Sequence, residues 1–466
     1  EVDVPDDWTA PKAADTLTVE GDTTLWWVAL GNEDLDSLVH EALLNNLDIM
    51  AAAARVDAAA ALAKLAGADL WPQANARFDA SKRKQNLIGI PIEGAPPVIP
   101  TTVQSFGVSL DVAWEVDLWG RIRSGQSAAL ADLEASWADL AALRLSIAGQ
   151  TVKAWFALIE ARLQLELAEE TVKSFQTSAD YVRSRYEQGV RSSLDLRLAL
   201  SNLYAAEALL EFRRQQLDRL TRQMEILLGR YPSGALSSTG DLPQLDSGIP
   251  AGLPSDILLR RPDILAAERR FAAAEKRVSQ ARRAFFPRIT LTGSAGTLTE
   301  QLQDLVDGDF SVWSIAAGLT QPIFQGGRLL ANLDQTEAAS DQVLAQYALS
   351  LLNAFGEVES SIVAEELIAR REANTADAAE QSAAARMLAE RQYAAGIVDY
   401  ITVLETQRRD LNSQSELLVV RRERLDARVN LHLALGGGFD LNTEWKQFLD
   451  KYAEEDQDDS KTEDNR

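Results

Sequence analysis

The chain has no cysteine and only two histidines among its 466 residues. Without cysteine there is no thiolate nucleophile, no Cys-based zinc or iron–sulfur site and no disulfide framework. His40 and His432 lie far apart, with no second histidine at metal-ligand spacing, so each reads as a packed or surface residue of an Ala/Leu helix. Long apolar runs are also missing. Runs such as Ile49–Ala54 stop at six residues, far below the roughly 20 that a membrane-spanning helix needs. Positive charge is scarce: 46 Lys+Arg stand against 70 Asp+Glu, a net charge of −24. Such a chain is a poor partner for a nucleic-acid backbone.

The length leaves room for two or three domains. The opening Glu1-Val2-Asp3-Val4-Pro5 reads as a mature N-terminus, with any targeting segment already removed. Residues Lys451–Arg466 carry seven acids and almost nothing apolar, the composition of a disordered, solvated tail.

Proline is absent from two long windows, between Pro100 and Pro232 and after Pro322. A proline inside a helix costs about 3 kcal/mol, so these windows are where long helices are permitted. In the first window Leu133, Leu140, Ile147, Ala154, Ala161, Ala168, Phe175 and Val182 form a row at seven-residue spacing. After Gly189 a new row runs through Leu196, Leu203, Leu210, Leu217 and Met224. A strict seven-residue repeat makes helices supercoil around one another. A helix over 120–186 would be on the order of 100 Å long at about 1.5 Å per residue.

The chain also repeats itself. Asp48-Ile49-Met50-Ala51-Ala52, with Pro72 following, returns as Asp263-Ile264-Leu265-Ala266-Ala267 with Pro287, an offset of 215 residues. Gly120-Arg121, Tyr186, Gly189 and Leu228-Gly229 return at an offset of 207 as Gly327-Arg328, Tyr393, Gly396 and Leu435-Gly436. Two copies of one unit follow, the first with a longer insert between Pro72 and Gly120. That insert has period two: Phe106, Val108, Leu110, Val112, Trp114 and Val116 alternate with small or polar residues, as do Ala74, Ala76, Phe78 and Ala80. A loop from Gly89 to Pro100 joins the two runs as a hairpin, and Ile289, Leu291, Trp313, Ile315, Ala317, Leu319 and Ile323 repeat the pattern in the second copy. Strands of about ten residues suit a tilted crossing of a bilayer. Soluble hairpins packed on helices are the bland alternative. Four strands cannot close a membrane barrel, which takes at least about eight, so a membrane reading demands two or three chains.

At these residues the chain resembles the TolC/OprM family of outer-membrane efflux channels, in its multidrug-efflux branch. The resemblance rests on Leu259-Arg260-Arg261-Pro262-Asp263-Ile264, Ala267-Glu268 and Phe285-Phe286-Pro287. Trp26-Trp27, Leu43 to Asp48, Gln321-Pro322-Ile323-Phe324, Gly326-Gly327-Arg328 and Tyr393-Ala394-Ala395-Gly396 followed by Tyr400 and Leu404-Glu405 support it. It implies a mixed α and β fold: a trimeric outer-membrane β-barrel with four strands per chain, continued by a long α-helical coiled-coil tunnel, with a small equatorial domain. The expected layout is an N-terminal equatorial segment (1–40), repeat 1 (41–229, with hairpin 73–119 and helices 120–186 and 190–229) and an equatorial connector (230–259). Repeat 2 follows (260–436, with hairpin 287–326 and helices 327–393 and 397–436), then a C-terminal equatorial segment (437–450) and the acidic tail (451–466).

The resemblance further implies a passive exit duct in the outer membrane of a Gram-negative bacterium, with the helical tunnel in the periplasm. It would be a conduit rather than an enzyme and need no cofactor or metal. Its partners would be two further copies of the chain, outer-membrane lipid, a periplasmic adaptor and an inner-membrane pump of the resistance-nodulation-division type, with no nucleic acid. A type I protein-secretion conduit or a soluble coiled-coil scaffold are the competing readings. In this family the tunnel narrows at its periplasmic tip. The gate positions fall on Ile401 and Glu405, with Thr402, Asp399 and Asp195 beside them, and Gly189 and Gly396 mark the hairpin-tip turns. Ala394 and Ala395 stand where relatives carry a latching arginine, leaving Arg391 or Arg191 for that task. Phe106, Val108, Leu110 and Val112 would face lipid, with Ser109 and Asp111 toward the lumen. Three copies of Glu405 about one axis would repel by roughly 3 kcal/mol per pair at about 6 Å and an effective dielectric near 20, which implies a hydrated, cation-preferring constriction.

Overall fold

A computed structural model describes residues 23–88, 98–245 and 260–437. The acidic tail, the segment 438–450, residues 1–22, the connector part 246–259 and the hairpin loop 89–97 lie outside the described residues. The fold is mixed α and β. A 3-10 turn (Thr23–Leu30) leads into helices α1 (Glu33–Asn45) and α2 (Leu47–Ala68), then strands β1 (Gln73–Ile88) and β2 (Val98–Val116). Helices α3 (Arg121–Glu187) and α4 (Ser193–Leu227) close the first half. The second half repeats the order with α5 (Pro262–Arg283), β3 (Arg288–Thr299), β4 (Ser311–Thr320), α6 (Arg328–Ala394) and α7 (Tyr400–Ala434). Among the described residues no helix is long and apolar enough to cross a membrane.

Local chemistry sets the element ends. The Asn32 side chain accepts the Leu35 N–H at 2.9 Å and caps α1. Asn46 lies between α1 and α2: its backbone N–H donates to the Ala42 carbonyl of α1 (2.9 Å), while its side chain accepts the Asp48 N–H of α2 (2.9 Å) and donates to the Leu227 carbonyl of α4 (2.9 Å). Asp117 accepts the Ile122 and Arg123 N–H groups at 3.1 and 2.9 Å, closing the start of α3. Pro262 occupies the first position of α5, where its missing N–H costs nothing.

The chain divides into two compact units. The first gathers the described residues within 1–54, 137–266 and 348–466. Its main core packs Trp26, Trp27, Leu35, Val39 and Ala42 against Ile147, Val152, Trp155, Phe156, Ile159, Met224 and Leu425. The irregular stretch after α4 joins that core through Leu236, Leu242 and Leu245. At the start of α5 the buried Arg261 guanidinium bonds both oxygens of Asp263 (3.0 and 2.7 Å), pairs with Glu357 (2.7 Å) and donates to the Ala434 carbonyl (3.2 Å). This arginine of the Arg-Pro-Asp run therefore ties α5 to α6 and α7.

The second unit, 55–136 and 267–347, holds one antiparallel sheet of order β1-β2-β3-β4. The helical stretches leading into and out of its strands are tied by Arg269 to Glu134 (3.2 Å), Arg282 to Glu337 (2.8 Å) and an Arg277–Asp132 pair. The strands depart from a uniform ten residues: β1 and β2 have 16 and 19, β3 and β4 have 12 and 10. The first hairpin continues past its apolar stretch because backbone pairing, which runs from Gln73↔Ala113 to Ile88↔Val98, needs no apolar face. The strand pattern expected to reach Ile323 ends at Thr320, just before Pro322, which has no N–H for a ladder. Between β3 and β4 two short 3-10 turns, Leu302–Val306 and Gly308–Phe310, form a cap that the alternation did not announce. Gly296 is obligatory where β2 and β3 come closest, since a Cβ there would lie 1.9 Å from the Val108 carbonyl oxygen.

Candidate functional site: two helical turns and a two-faced sheet

In the first unit, α3 turns into α4 and α6 turns into α7 by the same device. Gly189 and Gly396 adopt φ of +72° and +76°, a conformation that residues with a Cβ resist. The Gly189 N–H donates to the Tyr186 carbonyl and the Val190 N–H to Arg185, both at 2.9 Å. The second turn copies this pair: Gly396 to Tyr393 at 3.0 Å and Ile397 to Gln392 at 2.9 Å. Each is a Schellman ending that satisfies the last carbonyls of its helix. New helices then start on capping side chains. Ser192 accepts the Asp195 N–H (3.2 Å), and Asp399 accepts both the Thr402 N–H (3.1 Å) and the Thr402 hydroxyl (2.8 Å). Those Thr402 bonds hold the Asp399 carboxyl below the usual carboxylate range. Asp399 and Thr402 thus build the start of α7 together.

Ile401 and Glu405 lie one turn apart on the exposed face of α7, with Ile401 53% and the Glu405 side chain 56% accessible. Glu405 is not a bare carboxylate: Arg408 donates to both of its oxygens at 2.9 Å. An exposed pair of this kind is worth under about 1 kcal/mol and exchanges easily with water. Asp195 and Arg391 have no ion-pair partner among the described residues. Arg191 does have a partner: its guanidinium sits 4.4 Å from the centre of the Tyr393 ring, so the first turn reaches the end of α6 through a cation–π contact.

The opposite face of α7 looks inward, and the sequence reading passed over what it meets. Tyr400 and Val403 pack with Tyr393, Val182, Ala199 and Leu203. Tyr181, Tyr393 and Tyr400 form a row with ring centres 6.0 and 5.3 Å apart. Burial pushes the Tyr393 hydroxyl above its ordinary range, and its oxygen finds no hydrogen-bond partner. Beside this row lies a cavity of about 640 Å³ bordered by Lys173, Glu170 and Glu390. One turn further on, Arg386 binds Asp410 (2.6 Å) and Glu390 (3.3 Å), and the Gln407 amide donates to Glu390 (3.0 Å). The signal was present as polar residues on the inward row: Asp410 stands seven residues after Val403, and Gln407 and Gln414 continue the seven-residue row that starts at Tyr400.

In the second unit the register sorts the sheet into two faces. Cross-strand neighbours Ala76, Leu110, Ala295 and Trp313 share one face, as do Ala74, Val112, Gly293 and Ile315. Phe78 pairs with Val108 and Ala80 with Phe106 on that same face. Asn75, Asp111, Ser294 and Ser314 line the other, together with Arg77 and Ser109. Asp111 accepts hydrogen bonds from Ser109 (2.9 Å) and Ser294 there. The apolar face is uncovered in the protomer: Trp313 is 77% and Ile315 82% accessible. Near the ends that join the helices, the Trp114 indole donates to the Leu70 carbonyl (2.9 Å), and Trp119 donates to the Pro287 carbonyl (2.7 Å) while stacking on Phe286.

A sheet with one polar and one uncovered apolar face, joined to very long helices, defines a β-barrel membrane channel component. The model of the outer membrane efflux protein family matches residues 38–230 and 253–437, and the chain belongs to that family. It is 33% identical over 94% of its length to the pyoverdine export outer membrane protein OpmQ of Pseudomonas putida, covering 93% of that protein. It is 31% identical to the toluene efflux pump outer membrane protein TtgF of Pseudomonas putida, covering 89% of this chain and 85% of that one. Its fold superposes on the Campylobacter jejuni CmeC outer membrane channel with a TM-score of 0.86 at 25% identity, covering 96% of this chain and 98% of that one. The protein is an outer-membrane efflux channel of the Gram-negative envelope, with its helical part on the periplasmic side.

Proposed function

We propose that three copies of this chain close one twelve-stranded barrel and form the exit duct of a tripartite efflux system. The carrying observation is the sheet itself. Among the described residues, its order β1-β2-β3-β4 leaves β1 and β4 unpaired at their outer sides, while its apolar face is uncovered. An open edge within lipid would leave backbone groups unsatisfied at several kcal/mol each, so closure by further copies is required. Phe106, Val108, Leu110 and Val112 then face lipid, and Ser109, Asp111 and Arg77 face the lumen. The layout of two repeats about an equatorial connector follows the same reading. The cargo class is drugs or other toxic small molecules, in keeping with the toluene efflux pump protein among the relatives. A periplasmic adaptor and an inner-membrane pump of the resistance-nodulation-division type would deliver it.

The gate in this reading lies at the helical turns. Ile401 forms the steric ring and Glu405 the polar one, with Asp195, Thr402 and Asp399 shaping the tip and Gly189 and Gly396 setting its turns. Arg408 lowers the net charge of the Glu405 ring, so the cation preference is weaker than three free carboxylates would give. Arg191 on Tyr393 is the contact that opening must break. Single-channel current in planar bilayers tests this. Ile401→Ala should raise conductance, and Glu405→Gln should weaken cation selectivity. Unchanged current in both variants would place the constriction elsewhere.

A further inference from the structure

On the same face of β1 as Ala74, Ala76, Phe78 and Ala80, the alternation continues with Lys82 and Lys84. The change of chemistry is abrupt. On the paired strand the same face reads Val116, Trp114, Val112, Leu110, Val108 and Phe106, then Gln104 and Thr102 opposite the two lysines. Ten residues of strand at about 3.4 Å each, tilted about 45°, span roughly 24 Å, the height of the outward apolar band of a membrane barrel. Lys82 is two residues beyond the edge of that band and Lys84 four, about 5 and 10 Å past it by the same arithmetic. All four strands join their helices at the opposite end, so the lysines stand at the end away from the periplasm. Both side chains are exposed, and neither has an ion-pair partner among the described residues. Among the described residues, the acids near that end, Glu300, Asp304, Asp307 and Asp309, belong to the β3–β4 connection; Glu93, in the loop of the first hairpin, lies outside the described residues. Arg83, between the two lysines, points to the other face by strand alternation.

We infer that Lys82 and Lys84 form a binding site for a phosphomonoester headgroup of an outer-leaflet lipid. The chemistry is direct. Two ammonium groups about 7 Å apart along a strand face can engage one phosphate, or two phosphates of one headgroup, while their alkyl stems lie along the acyl boundary. Thr102, the cross-strand neighbour of Lys84, offers a neutral hydroxyl to the same headgroup; the Gln104 amide beside Lys82 donates one N–H to the Glu300 carbonyl (3.2 Å) and keeps its second N–H for the headgroup. The apolar row beneath supplies contact for the acyl chains, so one lipid is held at both its ends. A free phosphate would meet only the upper half of this site.

The inference rests on the lipid-facing reading of the sheet, and the experiment separates the two. Full-length protein is reconstituted in phosphatidylcholine nanodiscs with bisphosphorylated lipid A, or with lipid A stripped of its phosphates, and bound lipid is counted by native mass spectrometry. The Lys82→Gln/Lys84→Gln double variant should lose binding of the phosphorylated form by roughly fivefold per lysine, and bind the stripped form like the parent. Arg77→Gln, on the lumen face, should behave as the parent. Inorganic phosphate should compete only weakly; full competition would make the site a simple anion site and overturn the lipid assignment. Brominated lipid should quench a fluorescence component that is lost in Trp313→Phe. If it does not, the face reading fails. If it does, and the lysine variant keeps its full lipid, this inference alone fails.

Discussion

Helices α3 and α6 have the same length, 67 residues each, and occupy matching places in the two halves of the chain. Their fates differ. In α3 the apolar row is buried through Leu133, Ile147, Ala161, Ala168 and Val182, and Trp155, Phe156 and Ile159 fill the first unit's core. In α6 only seven residues are buried, while Leu330, Leu344, Leu349, Leu352 and Leu367 stand exposed. Equal length thus goes with one helix that completes the protomer and one that leaves apolar surface for something else to cover. The sheet makes the same split on a smaller scale. Interior stability belongs to the single chain; in the proposed trimer the uncovered faces are left to the partner chains and the membrane.

The sharpest test of the packed side is Trp155→Ala, which should cost about 3–5 kcal/mol in denaturant unfolding of the detergent-solubilised protein. Trp155→Phe should cost much less, because the buried indole N–H has no hydrogen-bond partner to lose. On the outward side, Leu110→Arg should cost about 2–4 kcal/mol in vesicle refolding if it sits near the midplane, whereas its strand neighbour Ser109→Arg should be tolerated. Equal tolerance at the two positions would erase the distinction between faces.

Two buried titratable groups of the packed unit give the next effect, and they oppose each other. Burial raises the Asp426 carboxyl to about 6, against the pull of Arg422 and Lys153, with Glu423 and Glu160 adding to the rise. Burial, with repulsion from Arg428, lowers the His432 imidazole to about 4, where it stacks on Trp26. Between about pH 4 and 6 the folded chain keeps a proton at Asp426 that the unfolded chain releases, while the unfolded chain keeps one at His432. Acidification through that window therefore stabilises through Asp426 and destabilises through His432, each on the order of 2–3 kcal/mol. The parent should look nearly flat. Asp426→Asn should lose stability on acidification, and His432→Gln should gain it, in unfolding midpoints followed from pH 7 to 4. The smallest effect on the chain itself comes from Leu349→Glu, with under about 0.5 kcal/mol expected for an exposed position. Helical circular dichroism should persist while native mass shifts from trimer toward monomer. A trimer that survives would mean that something other than a second copy covers α6.

The two-period pattern of the sequence made much of this legible. Alternation from Phe106 to Val116 was enough to read the strand and its apolar face, and the seven-residue row from Leu133 to Val182 was enough to read α3. Apolar alternation could not show that β1 and β2 run on past Ala80, since Ser81 to Asn86 are all polar and are held by the backbone ladder and a Ser81–Ser105 hydroxyl bond (2.9 Å). At the turns, Gly189 and Gly396 were readable because a left-handed residue leaves a glycine behind. The Arg191–Tyr393 contact and the Arg386–Asp410 pair were not, because they join residues brought together only by the packing of four helices.

The two unpaired outer strands carry a consequence for genetics. In the three-chain barrel proposed above, the ring is only as sound as its weakest seam, so one defective β1 or β4 spoils a ring containing two good subunits. In a cell making equal amounts of a normal and an edge-defective chain, random mixing leaves roughly one ring in eight wholly normal. Edge alleles should therefore be dominant for loss of efflux, and alleles that merely unfold the protomer, and so never enter a ring, should be recessive.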